Sequence, residues 1–103
     1  MAKIDFFKDY KKIGKKIKKI VEKRVKAEIY FFGSIVKGNY SKGLSDIDIA
    51  IVSDEFKDRK KKLKLYDILF EKFFDSPLEF HFLTKKQWKY FRRFIGKDFE
   101  KLN

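Results

Sequence analysis

The sequence predicts an α/β domain in which helices cover one face of a small mixed β-sheet of about three strands and leave the other face for chemistry. Two observations support this fold class. Stretches with helical periodicity alternate along the chain with short runs rich in β-branched and aromatic residues, and glycine or proline marks breaks between them. With 103 residues the chain can build one modest core, so we expect a single domain over residues 1–103.

The first half of the chain is predicted to form a long helix followed by two strands. Residues 5–25 form the helix, because apolar residues recur at steps of three and four: Phe7, Tyr10, Ile13, Ile17, Ile20, Val21 and Val25. The elements that follow are a strand over residues 27–32, a helical turn over 34–37, a polar loop over 39–44 and a strand over 46–52.

The second half is predicted to contain a helix, a strand and a last helix. The first of these helices covers residues 54–74 and ends before Ser76–Pro77, and its predicted core side consists of Phe56, Leu63, Tyr66, Leu69, Phe70 and Phe73. Residues 78–83 alternate between apolar and polar side chains, which is typical of a half-buried strand. Thr84 and Gln87 resemble a capping box that opens the last helix, whose inward side chains are Trp88, Phe91, Ile95 and Phe99.

The composition narrows the classes of function. The chain has no cysteine, which excludes disulfides and thiolate metal sites. No apolar run approaches the length of a membrane span and no signal peptide is visible, so we expect a cytoplasmic protein. The net charge of +12 makes nucleic acid a candidate partner. However, the basic residues between Lys11 and Lys26 occupy the outer side of an amphipathic helix, so a solvated face is favoured and a membrane-surface helix is less favoured.

The most informative segment is a glycine-serine turn followed by two aspartates. Gly33 and Ser34 follow the first strand, and Asp46 and Asp48 lie one residue apart in the second strand. Because side chains alternate along a strand, both carboxylates point to one face while the intervening isoleucines point to the other. Neighbouring carboxylates repel each other unless a cation lies between them, and Mg²⁺ prefers such oxygen ligands. The turn offers backbone N–H groups and a hydroxyl to phosphate oxygens.

This arrangement resembles the nucleotidyltransferases of the DNA polymerase β-like superfamily. The resemblance runs from Phe31 to Val52 and includes Ser45 just before the acids. It implies that Gly33 and Ser34 grip the phosphates of a nucleoside triphosphate and that two Mg²⁺ ions are bound by the acids. Lys37 stands where family members often carry arginine and would neutralise phosphate as a point charge. Ser45 would either contact phosphate or cap the loop, and Lys42 is a weaker candidate for the triphosphate.

The resemblance also implies a third carboxylate on a neighbouring strand, for which Glu79 is the candidate. Glu79 would complete the metal site or take the proton from the attacking hydroxyl; the alternative is a solvated position on an edge strand. His81, the only histidine, shares its strand face. A hydrogen-bonded strand histidine is more common than a ligand, so we do not assign His81 a catalytic role.

The acceptor of the nucleotide is the least determined part of the prediction. The chain resembles minimal nucleotidyltransferases, and this implies an antitoxin that places AMP from ATP on a tyrosine of a helical HEPN-domain toxin. Two alternatives remain open. One is a transferase directed to a polynucleotide, or an RNA-binding module, as the charge would suggest; nucleic acid is possible but not favoured. The other is an antitoxin that acts by binding alone, against which the intact acids argue.

Overall fold

A four-stranded mixed β-sheet with strand order β3-β2-β1-β4 forms the centre of the protein. We describe it from a computed structural model, in which residues 5–41 and 45–102 are described. The strands are β1 (Glu28–Phe32), β2 (Ile47–Val52), β3 (Leu78–Leu83) and β4 (Phe99–Leu102), and the helices are α1 (Tyr10–Glu22), α2 (Ser34–Lys37), α3 (Arg59–Lys72) and α4 (Lys85–Ile95). The α/β class and the mixed sheet are as predicted.

The sheet has a fourth strand that the sequence analysis did not predict. Gly96, at a φ of 63°, ends α4, and its N–H donates to the carbonyl of Arg92. The chain then returns along β1, with which β4 pairs antiparallel so that Phe99 lies opposite Phe32. The prediction that Phe99 faces inward from the last helix is therefore wrong. The four residues of β4 are too few to show a strand period, so only their pairing with β1 reveals the strand.

Helices pack on both faces of the sheet, not only on one as predicted. On one face α1 and α3 enclose the larger core, with Ile17, Val21, Leu65 and Leu69 against the isoleucines of β2. On the opposite face α4 covers part of the sheet, and Trp88 is buried there among Tyr30, Phe32, Ala50 and Val52. Trp88, Phe91 and Ile95 thus face inward as predicted, but toward the face that was expected to be left open.

The helix predicted over residues 54–74 is two shorter elements. A 3₁₀ turn covers Asp54–Lys57, and α3 begins after Asp58, whose side chain accepts hydrogen bonds from the N–H groups of Lys60 and Lys61. An aspartate in extended conformation is a strong N-cap, so it starts a new helix at this position. At the other end of the chain, α1 begins at Tyr10 and ends at Glu22, inside the predicted range of 5–25.

The core side of α3 also differs from the prediction. Leu65 and Leu69 are fully buried, whereas Leu63, Tyr66 and Phe70, predicted to face the core, are between 42% and 49% exposed. Helix α3 has two apolar stripes, and a helix lying on a sheet can bury only one of them. The second stripe therefore stays on the surface, where the rings of Tyr66 and Phe70 stack with centroids 5.7 Å apart.

Candidate active site

The parallel pairing of β2 with β3 brings acidic side chains together on one face of the sheet. Asp48 lies opposite Glu79, and Ala50 lies opposite His81. All four side chains point away from α1 and α3, because their strand neighbours, such as Ile49 and Phe80, pack into the core on that side. Asp48, Glu79 and His81 each offer one atom that could bind a metal ion, and these three atoms lie within 4.8 Å of one another.

His81 is held against both acids. Its Nε2 lies 3.3 Å from Oδ1 of Asp48 and 3.9 Å from Oε1 of Glu79. The ring also packs against the contacting rings of Phe32 and Phe91, with centroid separations of 5.1 and 6.2 Å. These contacts aim one imidazole nitrogen at the carboxylates. The sequence indicated that His81, the only histidine, shares a strand face with Glu79. Its contact with Asp48 could not be predicted in this way, because it depends on the pairing of β3 with β2.

Gly33 lies directly beside the carboxylate of Asp48. Phe32 and Asp48 are partners in the antiparallel pairing of β1 with β2, so the turn after β1 passes next to the acid. Gly33 adopts a φ of 81° and a ψ of −147°, which is a conformation open essentially to glycine alone. A Cβ at this position would lie 2.8 Å from Oδ2 of Asp48. The glycine therefore allows both the turn and the close approach of the carboxylate.

The surroundings of Glu79 raise its pKa above the ordinary value. Burial is the largest cause, followed by the charge of Asp48; the charge of His81 acts in the opposite direction, and Asp46 adds to the increase. Glu79 consequently holds a proton to higher pH than a glutamate in water, and it is a stronger base once ionised. A bound cation would lower this pKa again, because it favours the ionised carboxylate.

Asp46 lies at the edge of this cluster. It precedes β2, which begins at Ile47, and its side chain is exposed. Asp46 is not part of the cluster formed by Asp48, Glu79 and His81. Its negative charge nevertheless helps to raise the pKa of Glu79. The arrangement thus joins Asp48 and Glu79, as the sequence analysis expected, adds His81, and leaves Asp46 beside them in a position to reach a ligand from the solvent side.

Of the remaining predicted site residues, Lys37 and Ser45 have partners within the chain. Ser34 begins α2 directly after Gly33. Nζ of Lys37 lies 3.6 Å from Oδ2 of Asp98, so this lysine points toward the connection between α4 and β4. Oγ of Ser45 accepts a hydrogen bond from the N–H of Ser41, which corresponds to the loop-capping alternative. Lys42 lies outside the described residues.

The donor set of the cluster fits a divalent cation. Two carboxylates on neighbouring strands supply the hard oxygen ligands that Mg²⁺ prefers, and Asp46 adds a third carboxylate nearby. His81 adds a nitrogen, which suits first-row transition metals better than Mg²⁺. The residues therefore fit a metal site, with the glycine turn directly beside Asp48.

Comparison with known proteins identifies the family of this fold and site. Residues 14–102 match the family described as the nucleotidyltransferase domain. A crystal structure described as that of a "putative nucleotidyltransferase" is 53% identical to this chain and covers 91% of it and 97% of its own chain, with a TM-score of 0.71. A second crystal structure, of a "putative nucleotidyltransferase" from Sulfolobus solfataricus, is 20% identical, covers 93% of this chain and 78% of its own, and has a TM-score of 0.58, so it shows the fold alone.

The chain belongs to the nucleotidyltransferase domain family, within the DNA polymerase β-like superfamily. Membership indicates a nucleoside triphosphate as substrate and nucleotidyl transfer as the class of reaction. None of the curated proteins is significantly similar to this chain. Within the described residues, no helix is long and apolar enough to cross a membrane.

Proposed function

We propose that the protein is a Mg²⁺-dependent nucleotidyltransferase that moves AMP from ATP to a hydroxyl group on a partner protein. The single observation that carries the chemistry is the position of the Asp48 carboxylate, between Glu79 on β3 and the Gly33 turn after β1. This position brings together a cation site and a turn suited to phosphate oxygens. Two Mg²⁺ ions held by Asp46, Asp48 and Glu79 would stabilise the negative charge on the transferring phosphate and the leaving pyrophosphate.

The chain's own residues would then orient the reactants. The hydroxyl of Ser34 would hold the β- or γ-phosphate, and Gly33 would let the turn that carries it lie directly beside the acid cluster. The N–H of Gly33 itself donates to the carbonyl of Asp98, so it would reach a phosphate only by giving up that bond. Lys37 is exposed and pairs with the partly exposed Asp98, so it can exchange that partner for a phosphate at little cost. Ser45 would contribute by closing the loop from Ser41, and this keeps the chain entering Asp46 in place.

Glu79 is the candidate base for the acceptor. The acceptor oxygen forms a bond to the α-phosphorus, the bond between that phosphorus and the bridging oxygen to the β-phosphate breaks, and pyrophosphate leaves with the electron pair. The hydroxyl proton passes to the carboxylate of Glu79, which lies opposite Asp48 in the cluster. Glu79→Gln should therefore lower turnover much more than it lowers the affinity for ATP.

Exposed aromatic side chains support a protein as the acceptor. Tyr90 and Phe94 on α4 are 53% and 87% exposed, and α4 lies on the same face of the sheet as the acids. Large exposed rings are favoured at interfaces between proteins. We propose a helical HEPN-domain toxin as the partner, with Tyr90 or Phe94 in contact and an adenylylated tyrosine as the product, so that the protein acts as the antitoxin of the pair.

A polynucleotide is the second candidate for the acceptor, and the exposed surface of α4 supports it. In α4 the exposed rings alternate with cations, and the guanidinium of Arg93 lies over the ring of Tyr90, 5.2 Å from its centroid. Rings and cations together can bind single-stranded nucleic acid. The lysines of α1, in contrast, lie on the other side of the sheet from the acids and cannot guide a strand into the site.

Transfer from α-labelled ATP tests the chemistry. Wild-type protein is incubated with labelled ATP and Mg²⁺, with and without a co-expressed HEPN partner, and label on protein is separated from label on RNA. Asp46→Asn combined with Asp48→Asn should lower transfer at least about a hundredfold while the protein stays folded. Asp67→Asn, which removes an exposed charge from α3, is the matched control and should leave transfer unchanged. Transfer by the double variant at the wild-type rate would contradict the proposal.

Intact-mass spectrometry of the co-expressed pair tests the acceptor. The partner should gain the mass of AMP on a tyrosine, and the free protein alone should show little transfer. If an RNA 3′ end gains AMP while the partner does not, the protein acceptor is wrong and the polynucleotide candidate replaces it.

A further inference from the structure

We propose that His81 supplies a nitrogen ligand to the cation bound at Asp48 and Glu79, so that this site prefers Mn²⁺ or a similar first-row cation to Mg²⁺. The inference rests on the cation site of the proposed function and changes its expected metal. It also assigns a role to a residue that the sequence analysis left without one.

The distances between the donor atoms fit one shared ion. Nε2 of His81 is 3.3 Å from Oδ1 of Asp48 and 3.9 Å from Oε1 of Glu79. Ligand atoms bound side by side on an octahedral ion, each about 2.1 Å from it, lie about 3 Å apart. All three donor atoms lie within 4.8 Å of one another, so the side chains would have to draw together to bind the same ion.

Packing holds the imidazole in the orientation that a ligand needs. The ring packs against Phe32 of β1 and Phe91 of α4, with centroid separations of 5.1 and 6.2 Å, and these two rings also contact each other. Its partner in the β2–β3 pairing is Ala50, a small residue that leaves space for the ring against the sheet. A ligand whose orientation is fixed by packing loses less conformational entropy when the metal binds.

The identity of the donor atom determines the metal preference. Mg²⁺ binds oxygen ligands and is reluctant to exchange its water, whereas imidazole suits first-row transition metal ions such as Fe²⁺, Ni²⁺ and Zn²⁺. Mn²⁺ shares the preference of Mg²⁺ for carboxylate oxygens but belongs to the first-row series that also binds nitrogen. Replacing one water on the cation by the nitrogen of His81 would thus strengthen Mn²⁺ binding and hardly change Mg²⁺ binding. This chain combines one nitrogen with two carboxylate oxygens in the cluster.

Direct metal binding tests the inference without an activity assay. Mn²⁺ is titrated into the protein, and the loss of the free-ion electron paramagnetic resonance signal gives the bound fraction; competition with Mg²⁺ gives the Mg²⁺ affinity. The electron spin echo of the bound Mn²⁺ should be modulated by a directly coordinated ¹⁴N nucleus. His81→Ala should remove that modulation and weaken Mn²⁺ binding by about tenfold or more, with less than about a twofold effect on Mg²⁺.

Two further variants separate the inference from the function on which it rests. Asp48→Asn should abolish Mn²⁺ binding, which shows that the ion occupies this site. His81→Gln retains a hydrogen-bond donor for Asp48 but replaces the nitrogen ligand, so Mn²⁺ affinity should stay low. If Asp48→Asn abolishes binding but the wild type shows no ¹⁴N modulation, or if His81→Gln restores full Mn²⁺ affinity, the inference is wrong and the cation site stands. If the wild type binds Mg²⁺ but no Mn²⁺, the inference is wrong and the cation site stands; if it binds neither ion, both are overturned.

Discussion

Replacing Gly33 by alanine tests the close approach between the turn and the acid cluster. At φ 81° and ψ −147°, Gly33 occupies a region that costs other residues about 1–3 kcal/mol. The added Cβ would also lie 2.8 Å from Oδ2 of Asp48. Since a carbon–oxygen contact is ordinarily about 3.3 Å or longer, the carboxylate must move by about 0.5 Å.

The expected result has two parts. The free energy of unfolding should fall by about 2–3 kcal/mol, because backbone strain and the displaced carboxylate act together. Cation binding should weaken by about tenfold or more, because ligand atoms must be placed to within about 0.5 Å and the Asp48 carboxylate would move by that much. Urea unfolding, analysed at constant m-value, measures the change in the free energy of unfolding. Titration of the folded variant with Mn²⁺ measures the change in cation affinity.

Gly38→Ala is the matched control. Gly38 also has a positive φ, 80°, but a Cβ there meets nothing within 4 Å. The variant should lose about 1–2 kcal/mol of stability from the backbone alone and should bind the cation like the wild type. Equal cation affinity in Gly33→Ala and Gly38→Ala would refute the proposed coupling between the turn and Asp48.

Three further predictions concern stability. Gly14→Ala in α1 should destabilise the protein by about 1 kcal/mol despite its better helix propensity, because the new Cβ would lie 2.7 Å from Cζ of the buried Phe31; urea unfolding that shows a gain in stability would contradict this packing. Asp58→Ala should cost about 1 kcal/mol in thermal unfolding through loss of the α3 N-cap, and Asp58→Asn should recover most of it. Burial and then the hydrogen bond to Glu28 raise the pKa of Tyr30 to about 12. Because the folded protein keeps this phenol proton to higher pH than the unfolded chain, its contribution to stability should fall as pH rises from about 10 toward 12. Absorbance titration at 295 nm should show that Tyr30→Phe removes the last ionisation; an unchanged late step would assign it to another tyrosine.

Much of the candidate site was predictable because its signals are local. The alternation of side chains along a single strand places Asp46 and Asp48 on one face, and the same rule places Glu79 with His81. The glycine-serine turn follows from residues adjacent in the chain. The clustering of Asp48 with Glu79 and His81 was not derivable in the same way, because it depends on the parallel register between strands about thirty residues apart.

The sequence by itself determined most elements, the polarity of each strand face and the residue types of the site, since these depend on local propensity and periodicity. Only the tertiary structure decided the order of the strands, the existence of β4 and the face on which α4 packs. It also decided which stripe of α3 is buried, and thereby left Leu63, Tyr66 and Phe70 exposed. The physical reason is that these features arise from contacts between distant segments, and the pattern within each segment is compatible with more than one such arrangement.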